Sequence, residues 1–364
     1  MLAAAARPQV LPGAVIIDGN ENPLGPSRGA REAAAAMIPL GGRYLDDLTT
    51  DLTATFARME GLNPDQAQFF PGSSNPLRFA VLAFTFPKAS YVTADPGYEA
   101  GLYAGEAASA RIVKVPLTKS YAHDVKAMIA AAPDAGLFYI CSPNNPTGTL
   151  TSHSDIEYLV ENKPKGSVVM VDEAYIHFCG APSAMDMVRA GKDVIVLRTF
   201  SKLYGMAGLR CGVVAARKDL MEKISDIAGW NAMPITAVAA AQASLKDAQL
   251  VPERRGINAA IRQETCEWLD RGGYSYIPSE ANFFQLDTKR PGKDVIEAMA
   301  RQGVNIGRVW PIMPTHVRIT VGTREEMRRF QEAFRKVMTG AVSVVVPHTT
   351  AKARLLHDGA LPVG

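Results

Sequence analysis

The stretch that decides the fold runs Val194-Ile195-Val196-Leu197-Arg198-Thr199-Phe200-Ser201-Lys202-Leu203-Tyr204-Gly205-Met206-Ala207-Gly208-Leu209-Arg210-Cys211-Gly212. Val194 to Leu197 is a short β-branched apolar run, the pattern of a buried strand. It ends in polar groups and then in small residues, with Lys202 followed by Leu203, Tyr204, Met206 and Leu209. An amine in apolar company loses solvation, so its pKa falls and the neutral, nucleophilic form becomes accessible near pH 7. That is what a Schiff-base lysine needs. Eight residues on stands Arg210, whose planar fork suits a phosphate. A lone lysine on a loop is ordinarily a solvated surface group, so the reading depends on what lies upstream.

Working outward, short apolar runs at 68–70, 91–93, 112–115, 137–141, 168–171 and 211–215 alternate with helical stretches on either side of 194–197. This rhythm predicts an α/β fold, with a largely parallel sheet of seven strands between helices. Helical pattern runs from Met221 to Leu245, interrupted near Pro234, and again from Pro252 to Arg271. Beyond it, strands at 274–277, 283–286 and 317–321 with helices at 292–301 and 325–338 read as a smaller α+β domain. The expected division is a large domain over 40–246 and a small domain over 1–39 and 247–340. Residues 341–364 carry Pro, His and Gly without periodicity and read as a mobile tail.

Bulk properties narrow the function. The 364 residues are 21% charged and 47% apolar, with 39 basic and 36 acidic side chains giving a net charge of +3. No basic block or aromatic–basic stripe points to nucleic acid, and no apolar run reaches the roughly 18 residues of a membrane span. Cys141, Cys179, Cys211 and Cys266 form no CxxC pair and no metal spacing. Reduced thiols, no metal and a cytoplasmic location are expected. The start, Met1 to Pro8, lacks the charged region and apolar core of a signal peptide; a trimmed export signal is the alternative.

In a parallel α/β sheet, ligands gather at the carboxyl ends of the strands. After Phe70 comes Pro71-Gly72-Ser73-Ser74, a turn into a helix whose free N–H groups suit a phosphate. After Thr93 comes Asp95-Pro96-Gly97-Tyr98, and after Cys141 the double-proline loop Ser142-Pro143-Asn144-Asn145-Pro146-Thr147-Gly148. Val171 leads to Asp172-Glu173-Ala174-Tyr175, and Leu197 to Ser201 and Lys202. Five strand ends thus offer phosphate donors, a stacking ring, an amide, a carboxylate with a phenol, and an amine. Those are the groups needed around pyridoxal phosphate.

The chain resembles the fold-type I pyridoxal-phosphate aminotransferases, and within them the histidinol-phosphate aminotransferase-like group, from about Asp18 to Met338. The resemblance is carried by Asn20-Glu21-Asn22-Pro23-Leu24-Gly25-Pro26-Ser27, Ser142 to Gly148, Val171 to Tyr175, Thr199 to Lys202, Gly208-Leu209-Arg210 and Val317-Arg318-Ile319-Thr320-Val321-Gly322-Thr323. It implies pyridoxal 5'-phosphate as cofactor, held covalently by Lys202, which also shuttles the substrate's Cα proton. By the same resemblance Asp172 keeps the ring nitrogen protonated, Asn145 and Tyr175 bind the ring oxygen, and Tyr98 stacks on the ring. Ser73, Ser74, Ser201 and Arg210 would hold the phosphate. Tyr44 matches a tyrosine that reaches the neighbouring subunit's site, implying a homodimer. Asn22, Arg308 and Arg318 would meet the substrate, Arg318 taking the α-carboxylate. Arg308 stands one position from its expected place, beside Trp310 and Pro311.

The activity so implied moves an amino group from an L-amino acid or an amino-phosphate to a 2-oxo acid by a ping-pong mechanism. An aromatic or other amino-acid aminotransferase uses the same residues. So does a pyridoxal-phosphate decarboxylase or racemase, and only the substrate wall separates them.

Overall fold

The computed structural model describes residues 12–340. In chain order the first half comprises β1 (Val15–Ile17), α1 (Arg28–Met37), α2 (Asp46–Glu60), β2 (Ala67–Phe70), α3 (Ser74–Phe84), β3 (Ser90–Asp95) and α4 (Ala100–Ala107). There follow β4 (Ile112–Pro116), α5 (Val125–Ala131), β5 (Ala135–Cys141), α6 (His153–Asn162), β6 (Val168–Asp172), α7 (Met185–Arg189), β7 (Val194–Thr199) and β8 (Gly212–Ala216). Helices α8 (Lys218–Ala228), α9 (Ile235–Lys246) and α10 (Leu250–Arg271) lead to the last part of the chain. It contains β9 (Ser275–Ile277), β10 (Phe283–Asp287), α11 (Gly292–Arg301), β11 (Val304–Ile306), β12 (His316–Thr320) and α12 (Arg324–Thr339).

Seven strands form one sheet in the order β2-β8-β7-β6-β5-β3-β4. All pairs are parallel except those of β8, which runs against both β7 and β2. The carboxyl ends of β2 to β7 therefore share one edge with the start of β8. Every residue of β5, Ala-Gly-Leu-Phe-Tyr-Ile-Cys, is buried, because helices cover both faces of a parallel sheet. One apolar cluster, with Phe138, Val169 and Val196, fills one side of the sheet; a second, with Leu137, Met170 and Ile195, fills the other. Each such buried side chain contributes about 1.5–3 kcal/mol relative to exposure.

A third core forms around Phe284, Ile319, Phe330 and Phe334. Here β12, β10 and β9 make an antiparallel sheet, and α12 is closed at its start by a reciprocal Thr323–Glu326 capping box. Strands β1 and β11 are three-residue elements that the sequence pattern does not reveal, and they pair in parallel with Val15 opposite Val304.

The two elements before the division expected at residue 39 pack into different cores. Strand β1 does join the last part of the chain through β11 and the Phe284 core. Helix α1 instead lies along α9, and Ala30 is buried in the core with Ala237 and Ala241. Helix α10 also crosses the expected line, with Leu250 in the Phe138 core and Leu269 in the Phe284 core. The expected tail at 341–364 lies outside the described residues.

Candidate active site

A cavity of about 960 Å³ opens at the carboxyl edge of the large sheet, against the segment after β1 and the wall formed by α11, β11 and β12. Lys202, just past β7, reaches into it. Its Nζ lies 3.3 Å from the Gly19 carbonyl oxygen and 5.8 Å from the centre of the Tyr175 ring. Burial, reinforced by the positive charge of Arg318, brings the amine down to about 8. Asp172, the last residue of β6, lines up with a different set of partners. Its Oδ1 accepts from the Ala174 N–H at 3.1 Å and its Oδ2 from the Tyr139 hydroxyl at 2.8 Å. Burial pushes the carboxyl up to about 6, against the pull of the Tyr139 and Ala174 hydrogen bonds. The cause is desolvation of the charged form, acting in opposite directions on an acid and a base.

At one end of the cavity Ser73, Ser74, Thr199, Ser201 and Arg210 converge. Ser74 opens α3, so the first N–H groups of that helix lack intrahelical partners. Arg210 Nη1 donates to the Ser201 hydroxyl at 3.3 Å and to the Ala207 carbonyl at 2.9 Å. A Cβ on Gly72 would sit 1.9 Å from Arg210 Nη2, so only glycine lets the guanidinium lie against this turn. Arg210 itself has φ of 62°, a left-handed conformation that costs about 1–3 kcal/mol in a non-glycine residue and clusters at functional sites. Tyr98 lines the cavity with its hydroxyl 3.4 Å from that of Ser74.

At the other end lies Arg318 on β12, buried, with Nη1 donating to Asn145 Oδ1 at 2.6 Å and Nη2 to the Asp18 carbonyl at 2.9 Å. Its Nε is buried without a partner among the described residues, and burial brings the guanidinium down to about 10. Tyr175 accepts at its hydroxyl from Asn20 Nδ2, 3.1 Å away. Asn20 adopts φ of 54°, a conformation in which asparagine is tolerated better than most side chains.

Ten of the thirteen residues singled out in the sequence line this one cavity, namely Ser73, Ser74, Tyr98, Asn145, Tyr175, Ser201, Lys202, Arg210, Arg308 and Arg318, and an eleventh, Asp172, is buried beside Tyr139 and Ala174. Two stand elsewhere. Asn22, expected to meet the substrate, instead donates from Nδ2 to the Leu203 carbonyl at 2.8 Å and accepts from the Leu24 N–H at 3.0 Å. It is a turn residue, and the same carbonyl takes Arg254 Nη1 at 2.9 Å, so two side chains brace the backbone just past Lys202. Tyr44 is 65% exposed, outside this chain's cavity, with its ring edge-on to Trp230 at 5.0 Å.

Two residues at or behind the cavity were not singled out in the sequence. Asn20 belongs to the quoted Asn20-Glu21-Asn22 motif and lines the cavity, whereas Asn22 braces the turn. Tyr139 sits in the apolar run of β5, where nothing in the local pattern marks its hydroxyl as polar machinery.

The chain belongs to the aminotransferase class I and II family, whose model matches residues 18–334. It is 35% identical over 327 residues to the histidinol-phosphate aminotransferase of Symbiobacterium thermophilum, covering 89% of this chain and 90% of that one. The Moorella thermoacetica histidinol-phosphate aminotransferase is 32% identical, over 88% and 84% of the two chains. Among solved structures, the Sinorhizobium meliloti histidinol-phosphate aminotransferase in complex with pyridoxal-5'-phosphate superposes with a TM-score of 0.83 at 25% identity, covering 90% and 92%. No helix among the described residues is long and apolar enough to cross a membrane.

Proposed function

We propose that this aminotransferase uses pyridoxal 5'-phosphate to move an amino group between a histidinol-phosphate-like amine and a 2-oxo acid. The observation that carries the reading is one cavity lined by Lys202 and Arg318 together with Ala174, whose N–H holds the buried Asp172. The donor set fits the cofactor. Asp172 is a buried carboxylate held by two neutral donors, an arrangement suited to a protonated ring nitrogen, since a buried charge calls for a partner. The Gly72 cradle, the serines and Arg210 suit the phosphate. Tyr98, Asn145 and Tyr175 are the residues for the ring face and ring oxygen, and Lys202 for the covalent link.

When bound, pyridoxal phosphate supplies an electron sink for the carbanion left by loss of the Cα proton. The chain does the rest. Lys202 Nζ, neutral above about pH 8, would take the substrate's Cα proton and hold it for return. Asp172, ionised above about pH 6, keeps a proton on the nitrogen facing it. Arg318 orients the substrate through its anionic group, a carboxylate or a phosphate, by a charge-assisted fork. Because one fork serves donor and acceptor in turn, the two share a site and alternate.

The homodimer belongs to the same reading. Tyr44, Trp230, Ile38, Leu40 and Ile227 are exposed large apolar side chains, and Tyr44, which the resemblance assigns to a neighbouring subunit's site, stands outside the cavity of its own chain. A second copy gives these side chains cover and Tyr44 a site to enter. Sedimentation checks the state, and mixing Lys202→Ala with Tyr44→Phe subunits checks the sharing.

The deciding measurement is addition of histidinol phosphate alone to the protein loaded with cofactor. Conversion of the cofactor to its amine form, reversed by 2-oxoglutarate, is expected. Racemised histidinol phosphate without that conversion, or carbon dioxide released from an L-amino acid added in its place, would replace the aminotransferase reading. Indifference to histidinol phosphate with turnover of phenylalanine would move the substrate to the aromatic class.

A further inference from the structure

Two arginines face the substrate end of the cavity, and they are held in opposite ways. Arg318 is buried and fixed by a side-chain amide and a backbone carbonyl. Arg308, in the loop between β11 and β12, has a side chain 52% exposed. Its guanidinium lies over the Trp310 ring, 4.5 Å from the centre, and Arg318 lies 5.3 Å from the centre of the same ring. One indole thus carries two positive charges. The compensating charge comes from across the cavity: Arg308 Nη2 pairs with Glu99 Oε2, on the residue after Tyr98. The pair joins positions 209 apart in the chain, bridging the exit of β3 to the wall of the small sheet.

Resting on the aminotransferase reading, we propose that Glu99 is a specificity-determining residue: by occupying Arg308 it selects against substrates with a second anion at the far end of the side chain. A substrate carboxylate reaching Arg308 must displace Glu99 or sit beside it, like charge against like. A neutral, aromatic or imidazole side chain meets an arginine already neutralised and stacked on Trp310. Partly exposed ion pairs are weak, so the exchange is within reach and its effect is moderate rather than absolute.

The test uses cofactor-loaded protein, with glutamate and glutamine as amino donors that differ only in the distal charge. Calorimetric binding of glutarate and pentanoate gives a readout independent of turnover. Glu99→Gln is expected to raise preference for the distal anion about threefold to tenfold, in kcat/KM and in dissociation constant, with the uncharged member unchanged. Adding Arg308→Ala to Glu99→Gln should erase that gain, and Glu99→Asp should stay near wild type. An unchanged preference in Glu99→Gln overturns the inference. So does an equal change for both members of each pair, which would make the contact a structural latch. If the wild type transaminates neither donor, these two amino acids are not its substrates, the aminotransferase reading is judged on histidinol phosphate instead, and the two acids still decide the role of Glu99.

Discussion

The inner and outer ends of the cavity are built on different physical terms. Inside, Asp172, Lys202 and Arg318 are buried, sit on or just after strands, and are held by neutral hydrogen-bonding groups. Outside, Arg308 and Glu99 are half exposed, come from loops, and hold each other as an ion pair over an indole. Burial makes the inner charges expensive, which moves their pKa values toward the working range of proton transfer. Solvent leaves the outer charges ordinary and exchangeable. On the proposed reading, chemistry belongs to the rigid end and choice of substrate to the adaptable one.

Breaking the inner end should have the largest effects. Lys202→Ala should lower turnover by at least about ten-thousandfold and abolish the borohydride-fixed label that the wild type carries on this peptide; a wild-type label on another lysine would end the assignment. Arg318→Ala comes next. Loss of a charge-assisted fork should cost about 2–4 kcal/mol in kcat/KM, roughly thirty- to a thousandfold, for donor and acceptor alike. Stopped-flow measurement of each half-reaction checks this, and damage to only one would show that the two substrates are oriented by different groups.

Asp172 offers a test on stability, made without cofactor. Its carboxyl titrates at about 6 when folded, above the ordinary 3.8, so the folded state holds the proton more tightly than the unfolded chain. Stability is therefore lost as pH rises from about 4 to about 6, by on the order of 3 kcal/mol at and above neutrality. Asp172→Asn should be more stable than wild type by that amount at pH 7, with the gap closing below pH 4 in denaturant titrations. Lys202 gives the opposite slope. Its amine is lowered to about 8 from 10.5, so its penalty is relieved, and stability recovered, between about pH 8 and 10.5.

Tyr139→Phe removes one hydrogen bond to the ionised carboxylate, worth about 1 kcal/mol. The Asp172 transition should then move upward from about 6 by about one unit, read from the same stability profiles. If it stays in place, the hydroxyl does not act on the carboxylate. Smallest of all, Arg308→Ala should change kcat/KM less than about threefold for substrates with uncharged side chains, in keeping with a weak exposed pair. A larger loss there would erase the contrast between the two ends.

The same contrast explains what could be read in advance. Periodic apolar runs announced all seven strands of the large sheet, and polar residues at their ends announced Asp172, Ser201 and Lys202, because both signals are local in sequence. The pairing of β1 with β11 is three residues long and joins positions at opposite ends of the chain, so no window contains it. Helix α1 is alanine-rich and carries no mark of which core it will join; α9 decides that by packing. Tyr139 looked like an ordinary core aromatic, and its role appears only when β5 is laid beside β6 with Cys141 opposite Asp172. Asn20 and Asn22 are chemically identical, and the backbone turn alone selects which one faces the cavity.

The segment from Asp18 to Glu21 is held by residues from the far end of the chain. The Asn20 N–H donates to Thr320 Oγ1 at 2.9 Å, Asn282 Nδ2 donates to the Asn20 and Glu21 carbonyls, and Arg318 to that of Asp18. These contacts impose an order on synthesis. The large sheet has all its strands once Ala216 has left the ribosome, with Tyr175 and Lys202 already available to residues 19 and 20, but the contacts of residues 18–21 with Asn282, Arg318 and Thr320 must wait for another hundred residues to follow. The end of the cavity that holds Arg318 is therefore completed only after the sheet has all its strands, and a nascent chain whose sheet is already closed still lacks the arginine at that end.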